Sequence, residues 1–266
     1  MNEAVLIVDK PAGPTSFDVV RELKRLFPKE KVGHAGTLDP FATGVLVLLL
    51  GKATKLSDSL INSDKVYRAT LALGSETDSF DLTGNLVKTA SVPKLSRDEV
   101  TSCLKSFEGQ WEQLPPMFSA KKVKGVRLYD LARRNISIPR ERVPVQLYRL
   151  ELVHLEPTQL VFEVHCSKGT YIRSLGKEIA EKLGTVGHLT ALRRLASGPF
   201  SIEEGSSLEE IKADPAGLRR RGYQNFMRFL QTGGVRVEIP KAKDEYPQLP
   251  MRINNGNSLG HNFRLE

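Results

Sequence analysis

Residues 159–184 read QLVFEVHCSKGTYIRSLGKEIAEKLG, a strand, a glycine turn and a helix in immediate succession. Gln159 to Ser167 alternates, with Leu160, Phe162, Val164 and Cys166 on one face and Glu163 and His165 on the other. Beyond Lys168-Gly169-Thr170 the period changes. Ile172, Leu175, Ile179 and Leu183 recur at helical spacing until Gly184 closes the helix. The same grammar holds outward from this stretch. Upstream, Val143 to Leu155 is strand-like with imperfect alternation, and Ser96-Arg97-Asp98-Glu99 is a capping box for a helix with Val100, Leu104 and Phe107 inward. Val66 to Leu73 alternates with Tyr67, Ala69, Leu71 and Leu73 on one face, and Val45 to Leu50 is a wholly apolar strand. Ala4 to Val8 reads as a first strand, and Ser16 is placed to cap a helix running to about Phe27. Downstream, Ser207-Leu208-Glu209-Glu210 caps a short helix and Pro240 to Pro250 reads as a proline-bounded linker. Strands followed by single helices, without a strict βαβ repeat, predict an α+β fold with helices on a mixed, mainly antiparallel sheet.

The 266-residue chain is 40% hydrophobic and 26% charged, a globular composition long enough for one large core. Its net charge of +8 favours an acidic partner, nucleic acid ahead of lipid. The excess is local: between Lys121 and Arg142 eight basic residues, Lys121, Lys122, Lys124, Arg127, Arg133, Arg134, Arg140 and Arg142, stand against Asp130 and Glu141. A solvated surface is the plain reading of such a run, and phosphate binding is the functional one. Cys103 and Cys166 form no CxxC pair, so they predict buried thiols in a reducing compartment rather than a zinc site or disulfide framework. No apolar run approaches the ~20 residues that span a bilayer, and the N-terminus lacks the form of a signal peptide. A cytoplasmic protein is expected.

The loop GHAGTLDPFATG, residues 33–44, holds one carboxylate, Asp39, among glycines, threonines and a proline just before a buried strand. Glycine opens backbone angles closed to other residues, so such a loop can fix one side chain at a sheet edge. Taken alone, Asp39 reads better as an Asx-turn residue before proline. Other motifs fail on their spacing. Gly51-Lys52 lacks the preceding glycine and the following Ser or Thr of a phosphate loop. Asp78-Ser79-Phe80-Asp81 reads as a polar turn, having no third ligand for a metal. Ser16, Ser119 and Ser174 lack the glycine context of a hydrolase nucleophile, and His165 reads as an outward strand residue.

Taken together, Lys10-Pro11-Ala12-Gly13-Pro14-Thr15-Ser16, the 33–44 loop, Lys65-Val66-Tyr67-Arg68-Ala69, residues 166–174 (CSKGTYIRS) and Leu192-Arg193-Arg194-Leu195 closely resemble the bacterial TruB-type tRNA pseudouridine synthases. Order and spacing agree over roughly residues 1 to 210. The resemblance implies the pseudouridine synthase fold and isomerisation of the T-loop uridine at tRNA position 55, with no cofactor and no metal. It assigns catalysis to Asp39, with Arg173 as its ion-pair partner and Tyr67 as the platform for a flipped uracil; alone, Arg173 suits a helix surface and Tyr67 a core. A carboxylate can attack C1′ or C6 or remove a sugar proton on the way to a glycal, and the residues leave that route open. Tyr171 and Leu192 are implied to line the pocket, His34 to enter the loop stack in place of the extruded base, and Lys10 to support the pocket or a phosphate. Lys121, Lys122, Lys124 and Arg127 fall in an insertion, about 110–142, that clasps the T-arm in the family.

The resemblance further implies a catalytic domain over 1–240 followed by a linker and an incomplete PUA-like segment over 241–266, too short for a closed β-barrel. Ala35 stands where threonine is common. A monomer bound to the T-stem-loop of tRNA is expected, without membrane contact. Two competing readings are an RNA chaperone with dispensable catalysis and a guide-dependent synthase acting on ribosomal RNA; the latter kind carries a full PUA domain.

Overall fold

The computed structural model describes residues 3–118, 122–123, 126–127, 136 and 138–233. A nine-stranded sheet carries the fold, in the order β1 (Ala4–Lys10), β3 (Thr43–Leu50), β12 (Gly187–Ser197), β4 (Lys65–Leu73), β11 (Gln159–Cys166), β10 (Val143–Glu156), β7 (Gly109–Gln113). β2 (Val32–Ala35) joins β3, and β13 (Phe200–Ser201) joins β12. Every pairing in it is antiparallel except β3 with β12, so the sheet is mixed and mainly antiparallel. Two small hairpins stand apart: β5 (Ser75–Thr77) with β6 (Leu86–Thr89), and β8 (Lys122–Val123) with β9 (Val126–Arg127).

Helices α1 (Ser16–Leu26), α3 (Arg97–Lys105) and α4 (Ile172–Lys182) share the main core with β4, β11 and β12, and a short α2 (Ser57–Ile61) precedes β4. Phe162, Val164, Leu71 and Ala69 enter it from the sheet, Leu175 and Ile179 from α4. On the opposite side of β1 and β3 lies a second core, where Val45, Val47 and Leu49 meet Phe200 and Phe229 of α6 (Pro215–Thr232). The two cores explain the unbroken run in β3, whose Leu46, Leu48 and Leu50 enter the first while their neighbours enter the second. By contrast β4 and β11 keep one polar face, on which Arg68 and Glu163, paired opposite each other, form an ion pair at 2.6 Å. The imperfect alternation of β10 has a structural cause: its register with β11 shifts between Leu147 and Arg149 and again between Leu152 and His154.

Local signals hold with one correction. Thr15, not Ser16, caps α1, in a capping box with Asp18. The Ser16 hydroxyl instead accepts from Leu38 N at 2.9 Å and donates to Leu38 O at 3.2 Å, fixing the Asp39 loop to the helix. Ser96 and Glu99 form the expected box at α3, and Ser207 with Glu210 forms another before α5 (Leu208–Ala213). Gly184 adopts φ +81 after α4. Both thiols are free and buried. Among the described residues no helix is long and apolar enough to cross a membrane. Residues 234–266, with the Pro240 to Pro250 stretch, lie outside the described residues.

Candidate active site

Three elements converge on Arg173: the 36–42 loop, the turn into α4, and the turn between β5 and β6. The loop is held from several sides. Gly13 N donates to Pro40 O at 2.8 Å, Ala42 N donates to Asp39 O at 3.1 Å, and Ser16 grips Leu38. Gly36 and Gly44, at φ +92 and +98, take the backbone angles that bend it. At Gly44 a Cβ would come within 2.2 Å of Arg194 O, so this close approach of β3 to β12 requires glycine.

Asp39 emerges from this loop onto Arg173. Nε of Arg173 lies 2.9 Å from Asp39 Oδ2, and Nη2 lies 3.1 Å from Oδ1, a two-point ion pair. Arg173 sits in the first turn of α4 and is only 3% exposed, which excludes the helix-surface reading. Its remaining donors reach Ser79 O at 3.0 Å and Phe118 O at 2.7 Å. A second carboxylate, Asp81, lies 3.5 Å from Nη1 and is equally buried. Its Oδ1 accepts from Ser79 Oγ, Thr83 N and Thr83 Oγ1. Residues 78–81 are thus the polar turn the sequence suggests, and the turn also delivers a group to the site that sequence reasoning missed.

One guanidinium therefore serves two carboxylates. Desolvation is the largest influence on Asp39 and raises its pKa; Arg173 opposes it and Asp81 reinforces it. Some 35% of the Asp39 side chain still faces the adjoining cavity. That cavity, of about 230 Å³, is lined by Asp39, Tyr67, Tyr171, Arg173, Leu192 and Arg194, among others. The structure thus brings together both catalytic candidates beside Asp39 and both pocket-lining candidates. Burial raises the pKa of the Tyr67 phenol, and the neighbouring Arg194 charge pulls it down. A larger cleft of about 470 Å³ lies between β7 and α4, but its Trp111 and Arg142 both bond Glu178 and it is remote from the loop.

Lys10 is fully buried, and its ammonium donates to Pro11 O and Pro14 O at 2.8 Å and to Pro40 O at 3.2 Å. With all three hydrogens engaged it supports the loop. Burial, the largest cause, brings its pKa down to about 8. His34 stands on β2, opposite Leu48 and outside the cavity lining. Burial and the Arg194 charge lower its pKa, and its buried Nδ1 has no hydrogen-bond partner. Lys122 and Arg127 pair across the β8–β9 hairpin, while Lys121 and Lys124 lie outside the described residues. At the end of the basic segment, Arg140 donates to Pro115 O and Arg142 bonds Glu112 O and Glu178, so these two engage protein.

Sequence reasoning also missed Arg194 and Gln113. Fully buried Gln113 donates to Gly169 O at 2.7 Å and accepts from Tyr171 N at 2.8 Å, fixing the turn that presents Arg173. Buried long polar side chains have no local pattern that announces them. The only signal was the tight Lys168-Gly169-Thr170 turn, which needs anchoring.

Among solved structures, the chain resembles that of a Cbf5–Nop10–Gar1 complex at a TM-score of 0.64 and 31% identity, over 82% of this chain and 59% of that one. A second, an H/ACA RNP bound to a substrate RNA containing 2′-deoxyuridine, gives 0.60 at 29% identity, over 82% and 58%. This chain thus spans somewhat under two thirds of those chains. A mixed sheet with a buried Asp–Arg pair under an aromatic-lined cavity defines, with these likenesses, a pseudouridine synthase. The family model described as the TruB family pseudouridylate synthase N-terminal domain matches residues 24–172, and that of the tRNA pseudouridylate synthase B C-terminal domain matches 173–224. Relatives include tRNA pseudouridine synthase B of Chlamydia pneumoniae, 50% identical over 85% of this chain and 97% of that one. Those of Hydrogenovibrio crunogenus and Clostridium tetani are 48% and 46% identical, over 79% and 91% of this chain and 69% and 88% of theirs. The chain belongs to the TruB family, enzymes that isomerise uridine in tRNA to pseudouridine. Although the two family models meet at residue 172, β12 from the second part lies between β3 and β4 of the first, so both parts build one sheet.

Proposed function

We propose that this chain acts on the T-loop uridine at tRNA position 55, flips it into the 230 Å³ cavity and isomerises it with Asp39 as the catalytic carboxylate. The observation that carries the reading is the buried Asp39–Arg173 pair at the floor of a cavity walled by Tyr67, Tyr171 and Leu192. Tyr67 gives the flipped uracil a flat face on which to stack. Asp39, kept anionic by Arg173, works at the sugar-base junction: the C1′–N1 bond breaks, the uracil turns, C1′–C5 forms, and C5 releases its proton to solvent while N1 takes one up, so that product and substrate are isomers. His34, neutral because burial lowers its pKa, fills the gap left in the T-loop stack. The β8–β9 hairpin and its basic flanks hold the T-arm phosphates, a role supported by the charge excess over Lys121 to Arg142. The catalytic domain extends over 1–240, and 241–266 form a linker and PUA-like segment. Two free, buried thiols suit a reducing cytoplasm, where the chain acts as a monomer. Refolding of the T-arm accompanies catalysis.

The test is tritium release from C5-labelled uridine in T-arm RNA, with a companion RNA in which the target uridine alone is cytidine. Release from the first and none from the second is expected. Equal release from both refutes position 55 as the target.

A further inference from the structure

Lys65 begins β4 two residues before Tyr67, so the two share a face of the strand, and both line the cavity. Lys65 is buried, and its ammonium spends its hydrogens on backbone. Nζ donates to Leu60 O at 3.2 Å, to Ile61 O at 2.7 Å and to Ser63 O at 2.5 Å, which engages all three. These carbonyls lie at and just beyond the C-terminus of α2, where helix geometry leaves oxygens without an amide and favours a cation. The segment held in this way is part of the site. Ile61, 41% exposed, lines the same cavity, as do Ser167, Gly169 and Thr170 of the turn into α4. Asn62, the next residue, accepts from Lys168 Nζ at 2.9 Å, which ties the two turns together. The Lys65 stem runs beside the segment entering the Asp39 turn, since a Cβ on Gly36 would lie 4.0 Å from its Cε.

We propose that Lys65 is a positioning residue of the isomerase: by gathering three carbonyls it fixes the 61–64 turn, and with it Ile61, as a wall against which the flipped nucleotide is seated. The proposal rests on the reading of the cavity as the uridine site. Capping alone does not require a buried lysine, because the end of a five-residue helix can give its carbonyls to water. What positioning adds is that the capped residue itself lines the cavity and that the cap comes from the strand carrying Tyr67. The chemistry also selects lysine. Three carbonyls converging on one point suit an ammonium with three rotatable donors, whereas a guanidinium spreads its five across a rigid plane. With every hydrogen engaged, the ammonium acts through the turn and not on the RNA.

The experiment uses the full chain and single-turnover tritium release from saturating T-arm RNA, with RNA binding and melting temperature measured alongside. Lys65→Met keeps the stem without its donors and is expected to slow release about 30-fold, with RNA affinity within about threefold of wild type. Lys65→Arg keeps the charge without the convergent geometry and is expected to slow release about 10-fold. Ile61→Ala slows release about 10-fold on its own, and Lys65→Met with Ile61→Ala runs within about threefold of the slower single variant, because both remove the same wall. Effects that multiply, or a rate within about threefold of wild type for any of the three single variants, overturn the proposal. Lys65→Arg replaces Lys65→Met in the cycle if the latter does not fold. A readout independent of catalysis is hydrogen exchange without RNA at the amides of Asn62 and Ser63, which donate to Asp58 O at 3.1 Å and Leu60 O at 3.3 Å. Both exchange faster in the Lys65 variants than in wild type. Unchanged protection there overturns the claim that Lys65 holds the turn. Absence of tritium release by the wild-type chain refutes instead the functional reading on which the proposal rests, and the exchange experiment still decides what Lys65 holds.

Discussion

Replacing Arg173 by methionine removes the cation shared by half-buried Asp39 and buried Asp81. Asp39 loses a two-point ion pair at 2.9 and 3.1 Å while Asp81, whose charge already raises the Asp39 pKa, stays in place. An opposite charge at such a distance holds a carboxyl about 1 to 3 pH units lower, so the acid limb of kcat/KM moves up by about that much. Below the new limb each further pH unit costs about tenfold in rate. Stability falls as well, by about 3 kcal/mol, mainly because buried Asp81 is left without its cation; solvent at the cavity screens Asp39. Adding Asp81→Asn to Arg173→Met removes that buried anion. The acid limb then returns part of the way down and some stability is regained, so the second change improves on the first. Ser79 O and Phe118 O lose their Arg173 donor in both variants and cancel from the comparison. The assay is tritium release across about pH 5 to 9, with denaturant unfolding to confirm that each variant is folded. An acid limb of Arg173→Met at or below that of wild type, or a double variant indistinguishable from the single, refutes the reasoning.

The remaining expectations concern the loop. In wild type the raised Asp39 pKa sets opposite pH trends: activity is lost as pH falls through it, whereas the folded chain binds that proton more tightly than the unfolded one, so this group's share of stability grows on acidification. Lys10 and Lys65 have folded pKa values of about 8 against 10.5 unfolded. Between these values the unfolded chain holds more protons, so their share of stability rises with pH, while activity falls as Lys10 loses a donor to the loop; parallel loss of melting temperature and rate from pH 8 to 9.5 contradicts this. Gly44→Ala, with a Cβ 2.2 Å from Arg194 O at φ +98, destabilises by about 3 kcal/mol or more in urea unfolding. Ser16→Ala removes both bonds to Leu38 and costs about 1 to 2 kcal/mol, with kcat falling more than RNA affinity.

The sheet and helices were legible because their signals are local. Alternation in Val66 to Leu73 and the change of period at Lys168-Gly169-Thr170 are written in neighbouring residues, and β4, β11 and α4 follow them. Asp39 stands out in the sequence as a carboxylate held in a glycine-bent loop, but the roles proposed for Asp39, Tyr67 and Arg173 come only with the resemblance, since each alone suits a turn, a core or a helix surface. Asp81 was read correctly as part of a turn. That this turn docks against Arg173 is a contact across 92 residues of chain, which no spacing encodes. Lys10 and Arg194 share that character: a buried cation satisfied by backbone carbonyls leaves no partner residue type to look for. Ser16 shows the local ambiguity, because serine and threonine side by side compete for one cap and the loser was free to hold the loop.

The central claim is that Asp39 performs the chemistry and that RNA recognition resides elsewhere. Asp39→Asn keeps the shape of the side chain while removing its charge, so T-arm RNA binding and tritium release can be compared directly. The account predicts affinity within about threefold of wild type and a loss of release by at least ~10⁴-fold. Release at the wild-type rate by a folded Asp39→Asn chain contradicts it.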